Sequence, residues 1–153
     1  GRGAIFRTTA QLAAQMDFEL HLASPDLEDL ASLKVLKPTT QQPMTTPSAR
    51  IDLPIDAYSA VLLVFHDHEW EQAILMHAAQ QYPFFIGALG SRRTQAMRIE
   101  RLKHAGLGET ECGQIHGPIG LVPSLRNASL IAVSALAEIT ANLPPSQIRL
   151  SSS

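Results

Sequence analysis

Cysteine is nearly absent from this chain, with Cys112 the single one among 153 residues. A lone thiol excludes an internal disulfide and is typical of a reducing compartment, so the sequence predicts a cytoplasmic protein. Long apolar runs are also missing, because no stretch approaches the roughly 20 residues that a membrane-spanning helix needs. No signal-peptide pattern is present either. The sequence therefore predicts neither a disulfide framework nor a membrane partner.

The chain also lacks an excess of charge of either sign. Its 12 Lys and Arg residues and its 14 Asp and Glu residues give a formal net charge of -2 at pH 7. Without a basic run, neither nucleic acid nor an anionic membrane surface is expected as a partner. Hydrophobic residues make up 45% of the chain, which suits a globular domain that buries about two-thirds of its unfolded surface. We predict one domain over residues 1–150.

Strand-like and helix-like patterns alternate along the chain. Residues 59–65 form a continuous apolar run, the pattern of a strand that is covered on both faces. Pro83 ends the helical pattern that follows, and residues 84–87 predict the next strand. This alternation indicates βαβ crossovers and therefore an α/β fold with a mostly parallel sheet. Further elements are predicted as helices over 8–16, 28–36, 92–105, 109–115 and 130–143, a strand over 18–23 and a tail over 151–153.

The last predicted helix, residues 130–143, is apolar nearly all round. Asn127 or Ser129 is positioned to cap its start. A helix with apolar residues on every face is buried, either against the sheet or in a contact between subunits. The sequence therefore favours a homodimer.

Residues 37–50 show no periodicity. Pro38, Pro43 and Pro47 stand there among Thr, Gln and Ser. Such a composition is typical of an irregular connection, and its length is enough for a mobile flap. We therefore predict a flexible loop over this segment.

The stretch from 84 to 93 has the order of a buried strand, a tight glycine turn and a helix N-terminus. Gly87 and Gly90 let the backbone pass close to whatever lies above the sheet. Ser91 can cap the first free amides of the helix, and Arg92 and Arg93 add positive charge beside them. These features predict an anion site. The alternative is an ordinary strand–helix turn with solvated arginines.

The first 26 residues have the order of a dinucleotide-binding unit. Gly1 and Gly3 open a helix, and a strand about 20 residues further on ends near Asp26. The match is weak, because Phe6 stands where a third small residue would allow close packing. The strand that should come before Gly1 is also missing from the sequence.

Three histidines lie where strands are predicted to end. His66, Asp67 and His68 follow the strand at 59–65, and His116 lies in a loop with two glycines and a proline. His66 and His68 are two residues apart, so on an extended segment they face the same way and, with His116, could bind a metal. Hydrogen-bonded capping is the alternative, and no Cys or EXXH spacing supports a metal, so we assign none. Ligands of parallel sheets gather outside the carboxyl ends of the strands.

Four blocks of the sequence resemble a known family. They are HDHE at 66–69, FIGALGSRR at 85–93, IHGPIGL at 115–121 and IAVSALAEI at 131–139. In order and spacing they are similar to the C-terminal domain of the XdhC/CoxI family, over residues 59–142. These proteins are accessory factors for the maturation of xanthine dehydrogenase and related molybdenum hydroxylases.

The resemblance implies a three-layer Rossmann-like domain that binds the molybdenum cofactor and delivers it to an apo-enzyme of the xanthine dehydrogenase type. On this hypothesis the chain is a binding and insertion factor without turnover of its own. The resemblance does not identify the residues that touch the cofactor, so we infer them from their position at strand ends. They are Gly1, Gly3, His66, Asp67, His68, Gly87, Gly90, Ser91, Arg92, Arg93 and His116.

Two other functions stay open at this stage. One is an NAD(P)-dependent oxidoreductase in which His66 or His116 acts as the acid–base group. Asp26 is displaced from the end of the second strand, which counts against an ordinary nicotinamide site. The other is a domain that only docks onto a protein partner. Titration with molybdenum cofactor and with NAD(P)H distinguishes the three hypotheses.

Overall fold

The computed structural model describes residues 1–147, and in them helices alternate with short strands. The helices are α1 (Ala4–Gln15), α2 (Leu27–Ser32), α3 (Gln72–Ala79), α4 (Arg92–His104), α5 (Glu109–Gly113) and α6 (Ala128–Ala141). The strands are β1 (His21–Ser24), β2 (Thr40–Pro43), β3 (Ala60–Leu63), β4 (Phe85–Ala88) and β5 (Ile115–His116). Short 3-10 helices cover Lys34–Leu36, His68–Trp70 and Pro145–Gln147. The tail predicted over 151–153 lies outside the described residues.

All the described strand pairs are parallel, and the strands form two sheets. One sheet contains β1 and β2, and the other has the order β3-β4-β5. Gly1 lies between the two sheets, because its nitrogen donates to the carbonyl of Ala23 in β1 at 3.0 Å. A Cβ built on Gly1 would lie only 2.5 Å from Cγ2 of Val64, the residue after β3. The predicted parallel pairing is confirmed, but the sheet is divided at this point.

Helices cover both faces of the three-stranded sheet. Leu63 of β3 is buried in one core with Leu75 of α3 and Leu102 of α4. On the opposite face Phe85 of β4 is buried with Leu136 of α6. Alternate residues of a strand point to opposite faces, so a short apolar strand can contribute to both cores. The three layers predicted from the sequence are therefore present.

Local capping residues determine where the two longest described helices begin. Ser91 Oγ accepts a hydrogen bond from the Thr94 amide at 3.1 Å, and α4 starts at the next residue. Asn127 Oδ1 accepts from the amides of Ser129 and Leu130, which makes Asn127 the N-cap of α6. Within residues 1–147 no helix has the length and apolar character required to cross a bilayer.

The segment 37–50 is not irregular throughout, and that part of the prediction is wrong. Residues 40–43 form β2, which pairs with β1 in parallel register. Its side chains are polar: Gln41 Nε2 donates to the carbonyl of Leu30, and Gln42 Nε2 to that of Arg50. A polar strand that ends in proline carries no apolar alternation, so the pattern that indicates a strand is absent from the sequence.

Candidate functional site

The carboxyl ends of β3, β4 and β5 lie at one edge of the sheet. In the parallel register Leu63 of β3 pairs with Ala88 of β4, and Gly87 of β4 pairs with His116 of β5. The segment after β3, the glycine turn after β4 and the loop after β5 therefore leave the sheet side by side. The structure thus brings three of the predicted groups of residues to the same edge.

The glycine turn between β4 and α4 has the predicted backbone and cap. Gly90 has φ of 149°, in the region that favours glycine, and a Cβ there would lie 2.9 Å from Thr94 Cγ2. The amides of Arg92 and Arg93 precede the first intrahelical hydrogen bond. Within residues 1–147 no side chain accepts from these two amides. They remain available to an anion at the positive end of α4.

The side chains of Arg92 and Arg93 are exposed on the first turn of α4. Neither forms an ion pair with any residue of the described chain. They add positive charge near the free amides, and nothing in residues 1–147 neutralises them locally.

Gly87 serves packing within the protein. It is fully covered, and a Cβ built on it would lie 2.5 Å from Ile119 Cγ2 and 2.7 Å from the Phe85 ring. The absence of a side chain therefore admits Ile119 of the following loop, whose amide donates to the Ala88 carbonyl at 3.1 Å. Ile119 and the Phe85 ring therefore cover Gly87 where a ligand would approach it.

A buried ion pair lies beneath the glycine turn. Arg98 of α4 and Glu71 before α3 have side chains that are 4% and 3% exposed. Arg98 Nη2 lies 3.1 Å from Glu71 Oε2 and donates to the Leu89 carbonyl at 2.7 Å. His68 Nδ1 lies 2.9 Å from Glu71 Oε1. This network connects the segment after β3 with the turn after β4.

Gln95 extends the network to β5. Its Oε1 accepts from Arg98 Nη1, and its Nε2 donates to the Ile115 carbonyl at 2.9 Å. A side chain on Gly117 would collide with this amide, so the glycine allows Gln95 to reach β5. The segment after β3, the glycine turn after β4 and strand β5 are therefore linked by one set of polar contacts around the buried Glu71–Arg98 pair.

His116 is held at the same edge of the sheet by contacts with α6 and Phe85. Its ring stacks on Phe85 with centroids 4.6 Å apart, and its Nδ1 lies 3.1 Å from Glu138 Oε2 of α6. Glu138 Oε1 also accepts from the Gly120 amide at 2.8 Å. A carboxylate on Nδ1 fixes the orientation of the imidazole and leaves Nε2 for another partner.

The Gly1–Gly3 end of the chain is occupied by the protein's own carboxylate. The Gly3 amide donates to Asp29 Oδ2 at 2.7 Å, and Asp29 also pairs with Arg7. Asp26 is the N-cap of α2, because its Oδ1 accepts from the Asp29 amide at 3.0 Å. A buried carboxylate at the start of α1 opposes a pyrophosphate there, which disfavours the dinucleotide hypothesis.

The residues after β3 have different partners. His66 is exposed, whereas Asp67 forms an ion pair with Arg2. The Arg2 guanidinium lies 6.0 Å from the centre of the Trp70 ring, within the range of a cation–π contact. His68 binds Glu71, as described above. None of these side chains makes the helix cap that the alternative hypothesis expected.

A cavity of about 570 Å³ lies between the start of α3 and the side of α4. It is lined by His68, Glu69, Glu71, Gln72, Leu75, Thr94, Met97, Arg98, Arg101 and Leu102. His68 is the one predicted site residue in this lining. A second cavity of about 400 Å³, lined among others by Arg2 and Trp70, lies at the carboxyl ends of β1 and β2.

Neither a metal cluster nor a reactive thiol is formed by the described residues. In residues 1–147 no three His, Cys, Asp or Glu side chains lie close enough together to hold a metal ion. Cys112 is 4% exposed, and burial raises the pKa of its thiol. A thiol with a raised pKa is a poor nucleophile at neutral pH.

Sequence analysis missed the residues that hold the site together, namely Asp29, Glu71, Gln95, Arg98 and Glu138. One signal for Arg98 was present, because it lies four residues before Leu102 and thus on the same face of α4. In the structure Arg98 is buried, whereas Ala96 is exposed.

Parallel strands, helices on both faces and a glycine turn that leads into a helix define a Rossmann-like α/β domain. A family model described as the XdhC Rossmann domain matches residues 1–139. The chain therefore belongs to the XdhC Rossmann domain family, as its four sequence blocks predicted.

Two curated relatives come from Escherichia coli (strain K12). The molybdenum cofactor insertion chaperone PaoD is 41% identical over 85 residues, which are 56% of this chain and 27% of PaoD. The uncharacterized protein YqeB is 28% identical over 140 residues, which are 91% of this chain and 26% of YqeB. The chain thus spans about a quarter of the length of each relative.

A solved structure described as a xanthine dehydrogenase from Bacillus halodurans has a similar fold. It superposes with a TM-score of 0.72 at 18% identity and covers 99% of this chain and 42% of that one. At this identity the likeness shows the fold alone. It confirms the α/β Rossmann-like class predicted from the sequence.

Proposed function

We propose that this domain binds the molybdenum cofactor and presents it to a molybdoenzyme of the xanthine dehydrogenase type. The observation that carries the proposal is the 41% identity over 85 residues to a protein named as a molybdenum cofactor insertion chaperone. The domain acts as a binding and insertion factor and has no turnover of its own.

The site is the edge formed by the carboxyl ends of β3, β4 and β5. The free amides of Arg92 and Arg93, with their guanidinium groups, suit the phosphate of a pterin cofactor. The other residues assigned to the edge are His66, Asp67, His68, Gly90, Ser91 and His116, together with Gly87, which is covered by Ile119 and acts through the packing of the turn. Gly1 and Gly3 belong to the same proposal, although the Gly3 amide is bonded to Asp29.

A nicotinamide oxidoreductase is the second candidate. Two histidines with a carboxylate on Nδ1, His68 and His116, are the observation in its favour, since such rings can act as acid–base groups. The Asp29 carboxylate at the start of α1 counts against it. Docking without a cofactor is the third candidate.

We also propose a homodimer that forms through the outer face of α6. Leu130 and Val133 on this helix are 55% and 54% exposed. Leu121 and Val122 are similarly exposed, and both donate backbone hydrogen bonds to Ser134 of α6. We call these four residues the α6 patch. Clustered apolar side chains of this kind are typical of a protein contact. A cytoplasmic location completes the proposal.

Titration of the full chain with molybdenum cofactor and with NADPH tests the function. We expect saturable binding of the molybdenum cofactor and no hydride transfer from NADPH. The double variant Arg92→Ala/Arg93→Ala should weaken cofactor binding by about a hundredfold, because two cationic contacts are lost at roughly tenfold each. Its thermal unfolding should stay cooperative, since both side chains are exposed.

The matched control removes two exposed arginines elsewhere, Arg50→Ala/Arg126→Ala. It should bind the cofactor like the wild-type chain. Unchanged affinity in the Arg92→Ala/Arg93→Ala variant would show that the phosphate does not bind at this turn. Tight NADPH binding with hydride transfer would favour the oxidoreductase, and absence of binding to either compound would favour docking alone.

A further inference from the structure

The cavity between α3 and α4 has charged groups on two facing walls. One wall begins in the 3-10 helix after β3 and includes Glu69 and Gln72, and the other is the side of α4 with Thr94 and Arg101. Its volume of about 570 Å³ lies within the range of small-molecule sites. His68, which lines the cavity, follows β3 and connects the cavity to the carboxyl edge of the sheet.

Two of the lining charges are already satisfied. Glu71 accepts from Arg98 Nε and Nη2 and contacts His68, so both of its oxygens are used. Arg98 also donates to the Leu89 carbonyl and to Gln95 Oε1. This buried pair holds the two walls in place. Its oxygens and N–H groups are already hydrogen-bonded within the protein, so few of them can bind a ligand.

Glu69 and Arg101 are the charges that remain available. Both are exposed side chains on opposite walls of the cavity. In the described part of the chain neither is within 4.0 Å of an opposite charge. An unpaired carboxylate and an unpaired guanidinium that face the same cavity suit a ligand with a donor edge at one end and an anion at the other.

Most of the cavity surface is apolar. Leu75 and Leu102 are almost fully buried and close its base, and Met97 is 46% exposed at its rim. Methionine packs well against flat aromatic rings, because its chain is flexible and its sulfur is polarizable. The cavity therefore has the features of a site for a planar ring with polar ends.

We propose that this cavity holds the pterin ring of the cofactor, with Glu69 on the aminopyrimidinone edge and Arg101 on the anionic, metal-bearing end, while the phosphate lies at the amides of Arg92 and Arg93. The inference rests on the proposed function and gives that function a specific pocket. An aminopyrimidinone presents two adjacent N–H groups, which a carboxylate accepts in a bidentate manner. In this pocket the ring lies between α3 and α4 and not over the glycine turn.

Fluorescence titration of the full chain with 6-hydroxymethylpterin and with molybdenum cofactor tests the inference. Glu69→Gln should weaken binding of both compounds by about tenfold, because one charge-assisted contact is lost. Arg101→Gln should weaken binding of the molybdenum cofactor by a similar factor and leave 6-hydroxymethylpterin, which lacks the anionic, metal-bearing end, unaffected. Glu100→Gln and Lys103→Gln, exposed on α4 outside the cavity lining, are the matched controls and should bind like wild type.

The two proposals fail in different ways. Wild-type cofactor binding that neither cavity variant changes would overturn the pterin pocket and leave the proposed function standing. Binding of 6-hydroxymethylpterin that depends on Glu69, without binding of the molybdenum cofactor, would support the pocket and overturn the function. Binding of neither compound would overturn both.

Discussion

Among single residues, Arg98 has the largest structural role at the edge of the sheet. Its guanidinium pairs with Glu71 and also fixes the carbonyl of Leu89 in the glycine turn. Both charged side chains are at most 4% exposed. Removing two ions from water costs several kcal/mol each, and only mutual pairing offsets this cost. The position of the turn therefore depends on a contact that carries no ligand itself.

Arg98→Met should destabilise the fold by about 3–5 kcal/mol, because it leaves the Glu71 carboxylate buried without its cation. The double variant Glu71→Leu/Arg98→Met should lose less than this single variant, since no isolated charge remains. Urea unfolding at neutral pH measures both differences. Arg50→Met is the control: its pair with Asp52 is 90% and 73% exposed, so the change should stay below about 0.5 kcal/mol.

A loss below 1 kcal/mol in Arg98→Met would show that water reaches Glu71 in the folded protein. An equal loss of unfolding free energy in the single and double variants would mean that the loss comes from the missing Arg98–Leu89 hydrogen bond and not from the unpaired Glu71 carboxylate.

Among the secondary-structure elements, those with local signals could be predicted and those without could not. The start of α4 follows from Ser91, and its end from Gly106, which has φ of 102°. In contrast, β2 has no apolar alternation, and its strand conformation depends on backbone pairing with β1. Pairing with a distant segment is a tertiary effect, which a local pattern does not contain.

The cap of α6 gives a prediction at this scale. Asn127→Ala should lower the free energy of unfolding by about 1 kcal/mol, because Oδ1 satisfies the amides of Ser129 and Leu130. Ser129→Ala, two residues further on and also exposed, should have an effect within about 0.5 kcal/mol. Thermal and urea unfolding give both values. A loss below about 0.5 kcal/mol in Asn127→Ala would mean that the helix start does not depend on the Asn127 side chain.

At the scale of the whole molecule, the sequence predicted which turns meet at the edge of the sheet but not what holds them there. The meeting of the three turns follows from the direction of parallel strands. The Glu138–His116 and Asp29–Gly3 contacts join residues 22 and 26 positions apart, and their carboxylates lie on α6 and α2. Such contacts depend on how the helices are seated, which no motif in the sequence encodes.

The proposed homodimer is the prediction that concerns the whole molecule. The α6 patch is apolar and exposed, and burying side chains such as Leu130 and Val133 contributes about 1.5–3 kcal/mol each. We therefore expect the wild-type chain to sediment as a dimer and Leu130→Glu/Val133→Glu to raise its dissociation constant at least about a hundredfold. Val35→Glu, which changes a residue that is 80% exposed outside this patch, should leave the dimer intact. A monomeric wild-type chain, or a dimer that survives the double substitution, would contradict the contact, because the charged residues would then meet only water.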